Sequence, residues 1–324
     1  MKKIVCRSKA DFKKIEESYP DIKKGCVAVL GFFDGVHIAH RALIESGRKK
    51  ADELGISLVI FTFFGEDGGV KNVRRLIYSD NDKVELLSEC GADAVVICSF
   101  SALSSLSGEN FVNEILIDSL FTKVAVSGFN FRFGNGAKSS ACDLIRFMEE
   151  RGCSTLIVPE LTCDEETISS TRIRNLLSCA RMEEAARLLG SPYFISGEVT
   201  HGDGRGRGMG TPTVNTDIES SLCSIPSGVY LTAVRIENDV LPAVTNVGVC
   251  PTFGERDFHA ETFILDFNGN LYNNKIRVYF LSFIRDEKTF LSENELKKQI
   301  NIDIIKAKKL LKEIKWQEIG LNLR

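Results

Sequence analysis

The sequence predicts two folds in succession: an α/β domain on a parallel sheet, then an antiparallel β domain that ends in a helix. Three observations carry this prediction. Short apolar runs alternate with amphipathic stretches through the first half, β-prone runs follow one another directly in the second, and the end of the chain shows an apolar stripe at helical spacing. With 324 residues, the chain is long enough for two separate cores.

In the first half, CVAVLGFF (26–33) is followed by AHRALIESGRKKADEL, and ISLVIFTFF (56–64) by DKVELLSEC and ADAVVICSF (92–100). VAVSGFNF (124–131) and TLIVPEL (155–161) extend the series. Apolar runs separated by helical patterns imply βαβ crossovers and an open parallel sheet of about five strands. Its ligand is expected at the carboxyl ends of the strands. This domain is assigned to residues 1–187.

The pattern changes after RMEEAARLLGSPYF (181–194), where FISGEVT, GVYLTAVRI, PAVTNVGV, HAETFILDF and KIRVYFLSF are joined by turn residues alone. Strands without intervening helices mean an antiparallel barrel or sandwich, assigned to residues 188–324. Ile300, Ile304, Ala307, Leu311 and Ile314 then form one stripe of a closing helix. The lysines around them read as its solvated face.

Charge narrows the function. There are 25 basic against 27 acidic residues up to residue 187 and 16 against 17 after it, so neither half carries the basic excess expected of a nucleic-acid-polymer binder. No apolar stretch approaches the ~18 residues of a membrane-spanning helix, and no signal-peptide core follows the first residues. The expected location is the cytoplasm. Ten cysteines without a CxxC pair read as reduced, mostly buried thiols rather than a zinc or redox site.

The first chemical motif is GFFDGVHIAH (31–40), an apolar strand ending in a tight Asp-Gly turn before a helix. His37 and His40 are three apart, so both rings project from one face beside the exposed amides of the helix start. Together with Gly31 and Asp34 of the turn, they form a candidate nucleotide-phosphate site, the imidazoles donating to oxygens that gain charge. The pair alone equally suits a solvated helix start. The second motif is ISSTRIR (168–174), where Ser169, Ser170 and Thr171 are natural capping residues. With Arg172 and Arg174 they exceed what a cap requires and suit a triphosphate, Arg174 neutralising a leaving pyrophosphate.

An HxxH helix start paired with a distant ISSTxxR resembles the nucleotidyltransferases that move AMP from ATP to a phosphate acceptor. RLIYSDNDKVELLSECGAD (75–93) and SGFNFRFGNG (127–136) sharpen this into a resemblance to the adenylyltransferase half of the prokaryotic bifunctional riboflavin kinase/FAD synthetases. That resemblance implies a nucleotidyltransferase-type sheet, with Phe63, Asn130 and Phe131 along the flavin.

HGDGRGRGMGTPTVN (201–215) is neither a dinucleotide fingerprint nor a P-loop. Its glycines at 202, 204, 206, 208 and 210 suit either a hairpin or a loop folded around phosphate, and Gly202, Gly204, Gly206 and Gly210 are taken as phosphate-binding. Thr213 and Asn215 alternate with period two and present neutral oxygens to one side, suited to Mg2+ bound with ATP. GDGRGRxxGxPTxN is similar to the riboflavin kinase signature, and the later segments follow in that family's order. The resemblance thus implies an antiparallel β-barrel with a C-terminal helix. Alternation places Glu261 on the side of Phe263, Leu265 and Phe267, as a rim carboxylate or as a group that takes a proton. By resemblance it is the general base for the ribityl 5′-hydroxyl.

The resemblance spans residues 10–315. Departures from its pattern fall in the first half: Phe32 for Asn, Ala39 for Gly, Phe64 to Gly69 for a Pro-His-Pro turn, and Ala137 to Ser140 for an Arg and a Gly-Asp. The expected activity is phosphorylation of riboflavin to FMN and adenylylation of FMN to FAD, with ATP, riboflavin and FMN as small-molecule partners and Mg2+ as cofactor. Two other readings stay open: a kinase whose first domain is a scaffold or flavin-binding module, and a non-catalytic flavin or nucleotide sensor.

Overall fold

The computed structural model describes residues 1–65, 75–200, 213–250, 257–267, 269, 271, 274–314 and 316. The chain forms two compact units, Met1–Ser169 and Ser170–Arg324.

The first unit is built on a six-stranded sheet of β1 (Lys2–Cys6), β2 (Cys26–Leu30), β3 (Ser57–Phe63), β4 (Ala94–Cys98), β5 (Thr122–Gly128) and β6 (Ser154–Val158), in the order β1-β4-β3-β2-β5-β6. Every pairing is parallel. Strands β2 and β4 are buried at all five positions, as a sheet covered on both faces requires. On one face lie Phe12, Ile15, Ile22, Phe111, Leu144 and Phe147. On the other lies helix α1 (Ile38–Leu54), which approaches closely at Gly47, where a Cβ would stand 2.5 Å from Val29 and 3.1 Å from Leu58. Strand β1 extends the expectation of about five strands: KKIVC is short, only two of its five residues are buried, and it reads as polar until it pairs with β4.

The order reverses between β2 and β5. From β2 the chain steps outward through β3 to β4, then returns to place β5 on the other side of β2. This is a topological switch point, and the crevice at the carboxyl ends of β2 and β5 is where an open α/β sheet takes its ligand. Helix α2 (Asp80–Glu89) precedes β4, and α3 (Ala141–Glu149) precedes β6.

The second unit opens with helices α4 (Ser170–Ser178) and α5 (Met182–Leu189). Strands β7 (Phe194–Glu198), β8 (Val214–Ile218), β9 (Gly228–Ile236), β10 (Asp239–Cys250), β11 (Asp257–Ile264) and β12 (Lys275–Asp286) follow, paired antiparallel in the order β7-β12-β9-β10-β11-β8. The end strands meet where Thr200 N donates to Asn215 O at 2.9 Å, which curls the sheet into a nearly closed barrel and decides between barrel and sandwich. Inside, the fully buried hydroxyls of Thr232, Thr245 and Thr262 join in a row across β9, β10 and β11 at 2.8 and 2.9 Å. Each thus satisfies a neighbour instead of costing desolvation.

Helix α6 (Glu293–Leu311) lays Ala307 and the half-buried Ile300, Ile304 and Leu311 on the barrel, and Ile314 follows its end. Asp303, in the same stripe, is only 4% exposed. It receives Arg285 of β12 through both Nε, at 3.0 Å, and Nη2, at 2.7 Å, and Gln299 at 2.9 Å. Among the described residues no helix is long and apolar enough to cross a membrane.

Candidate active sites

In the first unit, the carboxyl end of β2 runs into a turn of unusual backbone. Phe33, Gly35 and Val36 have φ of 55°, 86° and 40°, a region costly for a β-branched residue and typical of functional turns. The turn is tied from outside: Asp34, buried, accepts from Ile77 N at 2.9 Å, and Arg41 Nε donates to Val36 O at 3.1 Å. Gly31 leaves space for the Phe33 ring, which a Cβ would meet at 2.9 Å.

His37 caps helix α1, its Nδ1 accepting from His40 N at 3.4 Å. That acceptance puts the neutral ring's proton on Nε2, leaving an N–H donor for a ligand. The His37 and His40 rings stack with centroids 3.6 Å apart, and Phe33 meets His40 edge-on at 5.2 Å. Burial lowers the His37 pKa to about 4. Burial, then the neighbouring His37, also lowers His40 well below its ordinary value. Both rings are therefore neutral near pH 7, hydrogen-bond donors rather than fixed cations.

Two buried polar atoms at this crevice have no protein partner among the described residues: His40 Nδ1, and Ser127 Oγ at the carboxyl end of β5. One follows β2 and the other ends β5, the two strands that bracket the switch point. An unmet buried polar atom costs roughly 1–3 kcal/mol, so each of these atoms calls for a water, ion or ligand partner. Sequence reading found His40 by its motif but passed over Ser127, which looks like any strand serine.

The flavin residues implied by resemblance are also placed. Phe63 ends β3, half-buried, and Phe131 is half-buried while Asn130 is exposed in the turn after β5. Phe63 and Phe131 are linked by one unbroken row of rings. The row runs Phe63–Phe61 at 5.6 Å, Phe61–Phe111 at 5.6 Å, Phe111–Phe133 at 5.6 Å and Phe133–Phe131 at 5.5 Å. Phe111 and Phe133 were not legible as part of a site, because their partners are distant in sequence.

In the second unit, Ser170 and Thr171 occupy the first turn of α4, with Ser169 just before it, and Arg174 Nη2 donates to Thr171 Oγ1 at 3.4 Å. Gly202, Gly204, Gly206 and Gly210, expected to bind phosphate, lie outside the described residues. The residues after them are brought together. Asn215 of β8 stands opposite Glu261 of β11, and Thr213 Oγ1 donates to Glu261 Oε1 at 2.7 Å. On the other flank Asn246 of β10 also stands opposite Glu261, so Asn215, Glu261 and Asn246 form a row across three neighbouring strands. Asn246 was not picked out from the sequence, since only the register reveals its alignment.

Glu261 shares its face with Phe263, as the alternation requires, but that face is not the barrel's buried interior. Ala260, Thr262 and Ile264 are the buried members of β11, whereas Glu261 and Phe263 are half-buried on the opposite face, and Leu265 lies beyond the strand end. The apolar interior thus takes the alternate set, and Glu261 stays accessible to a ligand.

Comparison with known proteins follows the same division. The FAD synthetase family model matches residues 19–172 and the riboflavin kinase family model residues 189–311. A bifunctional riboflavin kinase/FMN adenylyltransferase of Bacillus subtilis is 34% identical over 286 residues, covering 86% of this chain and 90% of the relative. The chain belongs to the bifunctional riboflavin kinase/FMN adenylyltransferase family. Another relative of that description, from Pseudomonas fluorescens, is 35% identical over 303 residues, covering 89% of this chain and 93% of its own. A solved structure described as a macrolide-efflux protein from Streptococcus pneumoniae aligns with a TM-score of 0.82 and 28% identity, over 95% of this chain and 99% of the other. The two family models thus lie one after the other along most of the chain.

Proposed function

We propose that the chain phosphorylates riboflavin to FMN and then adenylylates FMN to FAD, with ATP as donor in both steps. Riboflavin phosphorylation is assigned to residues 188–324 and adenylyl transfer to residues 1–187, in the cytoplasm. The relatives described above act under that double name. The observation that carries the reading is the row of Glu261 with Asn215 beside it and Thr213 hydrogen-bonded to it. A binding-only sensor has no need of a carboxylate positioned beside two metal-type oxygen donors.

In the kinase half, Glu261 accepts the proton of the ribityl 5′-hydroxyl as the oxygen attacks the γ-phosphorus of ATP. The new O–P bond makes FMN, and the bond to ADP breaks in line. The donor set fits Mg2+: the Thr213 hydroxyl, the Asn215 amide oxygen and the Glu261 carboxylate are all hard oxygens on one face. Thr213 and Asn215 would hold the ion, which when bound neutralises phosphate charge. Thr213 also fixes the orientation of the Glu261 carboxylate through its hydrogen bond.

In the adenylyltransferase half, a phosphate oxygen of FMN attacks the α-phosphorus of a second ATP and pyrophosphate leaves. The Nε2–H of His37 and the neutral ring of His40 donate to α-phosphate oxygens as their charge grows. Ser169, Ser170, Thr171 and Arg174 are a separate candidate set of hydroxyl and guanidinium donors suited to a triphosphate. Phe63, Asn130 and Phe131 contact the flavin. Incubation with riboflavin and MgATP followed by chromatography tests the reading: FMN then FAD is expected. FMN alone assigns the first domain to scaffolding or flavin binding, and no product returns the chain to the sensor reading.

A further inference from the structure

Lys83, on helix α2, is buried at the carboxyl end of β3, with its side chain 2% exposed. No step of the proposed chemistry uses it. Its ammonium donates to Phe63 O at 2.7 Å, pairs with Asp80 Oδ1 at 2.8 Å and faces the Phe32 ring at 5.0 Å. Asp80 in turn accepts from Gly65 N through both oxygens, each at 3.1 Å. The lysine therefore clamps both sides of the point where β3 leaves the sheet, one side directly and the other through Asp80.

The clamp also reaches β2. Thr62 Oγ1 donates to Phe32 O at 2.9 Å, so the main chain after β2 is tied to the end of strand β3. Phe32 supplies an aromatic face to the ammonium, an attractive arrangement for a desolvated cation. Burying a lysine is costly unless its donors are met. Here they are met by the carbonyl of Phe63, whose ring belongs to the aromatic row, and by a carboxylate that fixes the following residues.

We propose that Lys83 is a positioning residue for adenylyl transfer, holding the exit of β3 so that Phe63 presents its ring to the flavin. This rests on the assignment of adenylyl transfer to the first domain. The lysine touches no substrate; it acts through Phe63.

The test compares wild type, K83M, K83Q, F63A and the double variant K83M/F63A for FAD formation from FMN and ATP. Riboflavin phosphorylation on the same preparations controls for the second unit, and circular dichroism with urea unfolding controls for folding of the first. K83M is expected to lower kcat/KM for FAD formation about a hundredfold, the scale of a misplacement near 1 Å, chiefly through KM for FMN. K83Q, which keeps an N–H for Phe63 O, should recover part of the loss. In the F63A background K83M should cost little more, because residues acting in one chain are not additive. Unchanged FAD formation in K83M, a loss that adds in full to that of F63A, or K83Q no better than K83M would each overturn the proposal.

If the wild type makes FMN but no FAD, the activity assigned to the first domain falls instead. Calorimetric titration with FMN then judges Lys83: loss of one class of FMN site in K83M supports the clamp, and an unchanged isotherm overturns it.

Discussion

Thr213 Oγ1 donates a 2.7 Å hydrogen bond to Glu261 Oε1, across the strand pair in which Asn215 stands opposite Glu261. The bond orients one carboxylate oxygen and leaves the other available, the arrangement a general base needs. Replacing Glu261 with Ala should lower FMN formation at least about a hundredfold, the usual scale for a lost general base. FAD formation from supplied FMN should be unchanged in the same variant. An unaltered phosphorylation rate in a steady-state assay would remove Glu261 from the mechanism.

His40→Ala should abolish FAD formation from FMN while leaving FMN formation intact. The ring stacks on His37, and its Nδ1 has no protein partner among the described residues, so it is held ready for a ligand. Equal FAD output from wild type and variant, read by chromatography of the flavins, would contradict the assignment.

Stability of the first unit should depend on acid through His37. Its pKa falls from 6.5 to about 4 on folding, chiefly by burial. Between those values the unfolded chain binds more protons, so this contribution is complete above the upper value and is lost as pH falls toward the lower one. The loss between pH 7 and pH 5 is about 2 kcal/mol by linkage. His37→Asn, which keeps a side chain able to cap the helix, should show a correspondingly smaller change in urea titrations at the two pH values. Parallel curves for wild type and variant would refute the account.

The Arg285–Asp303 pair should anchor helix α6 to the barrel. Asp303 is 4% exposed and takes both Nε and Nη2 of the guanidinium. Removing one partner strands a buried charge, so Asp303→Ala should destabilise the second unit by about 3–5 kcal/mol. The double replacement Arg285→Met with Asp303→Leu should recover much of it. Denaturant unfolding monitored through riboflavin phosphorylation checks both.

Much of this architecture was legible in the sequence for a physical reason: burial imposes a period. Runs such as CVAVL and AVVIC are buried on both faces and read as unbroken apolar strands, and Ile300, Ile304 and Ala307 read as one helix face. The His37/His40 pair was visible because both partners lie within one turn of helix. What stayed hidden depends on pairing between distant segments. Strand β1 becomes apolar only beside β4, Lys83 reads as a surface lysine until Phe63 and Asp80 close around it, and Asp303 looks like a break in an apolar stripe until Arg285 arrives. Asn246 likewise gains meaning only from its register with Glu261.

The central claim, two successive transfers from ATP to one flavin, is tested most directly by isotope. ATP labelled with 18O in its γ-phosphoryl group alone is supplied with riboflavin and Mg2+, and the flavins are separated and weighed by mass spectrometry. The account predicts FMN carrying the label, and FAD carrying it only on the phosphate next to the ribityl chain, with an unlabelled adenylyl group. Flavin recovered without label would contradict it.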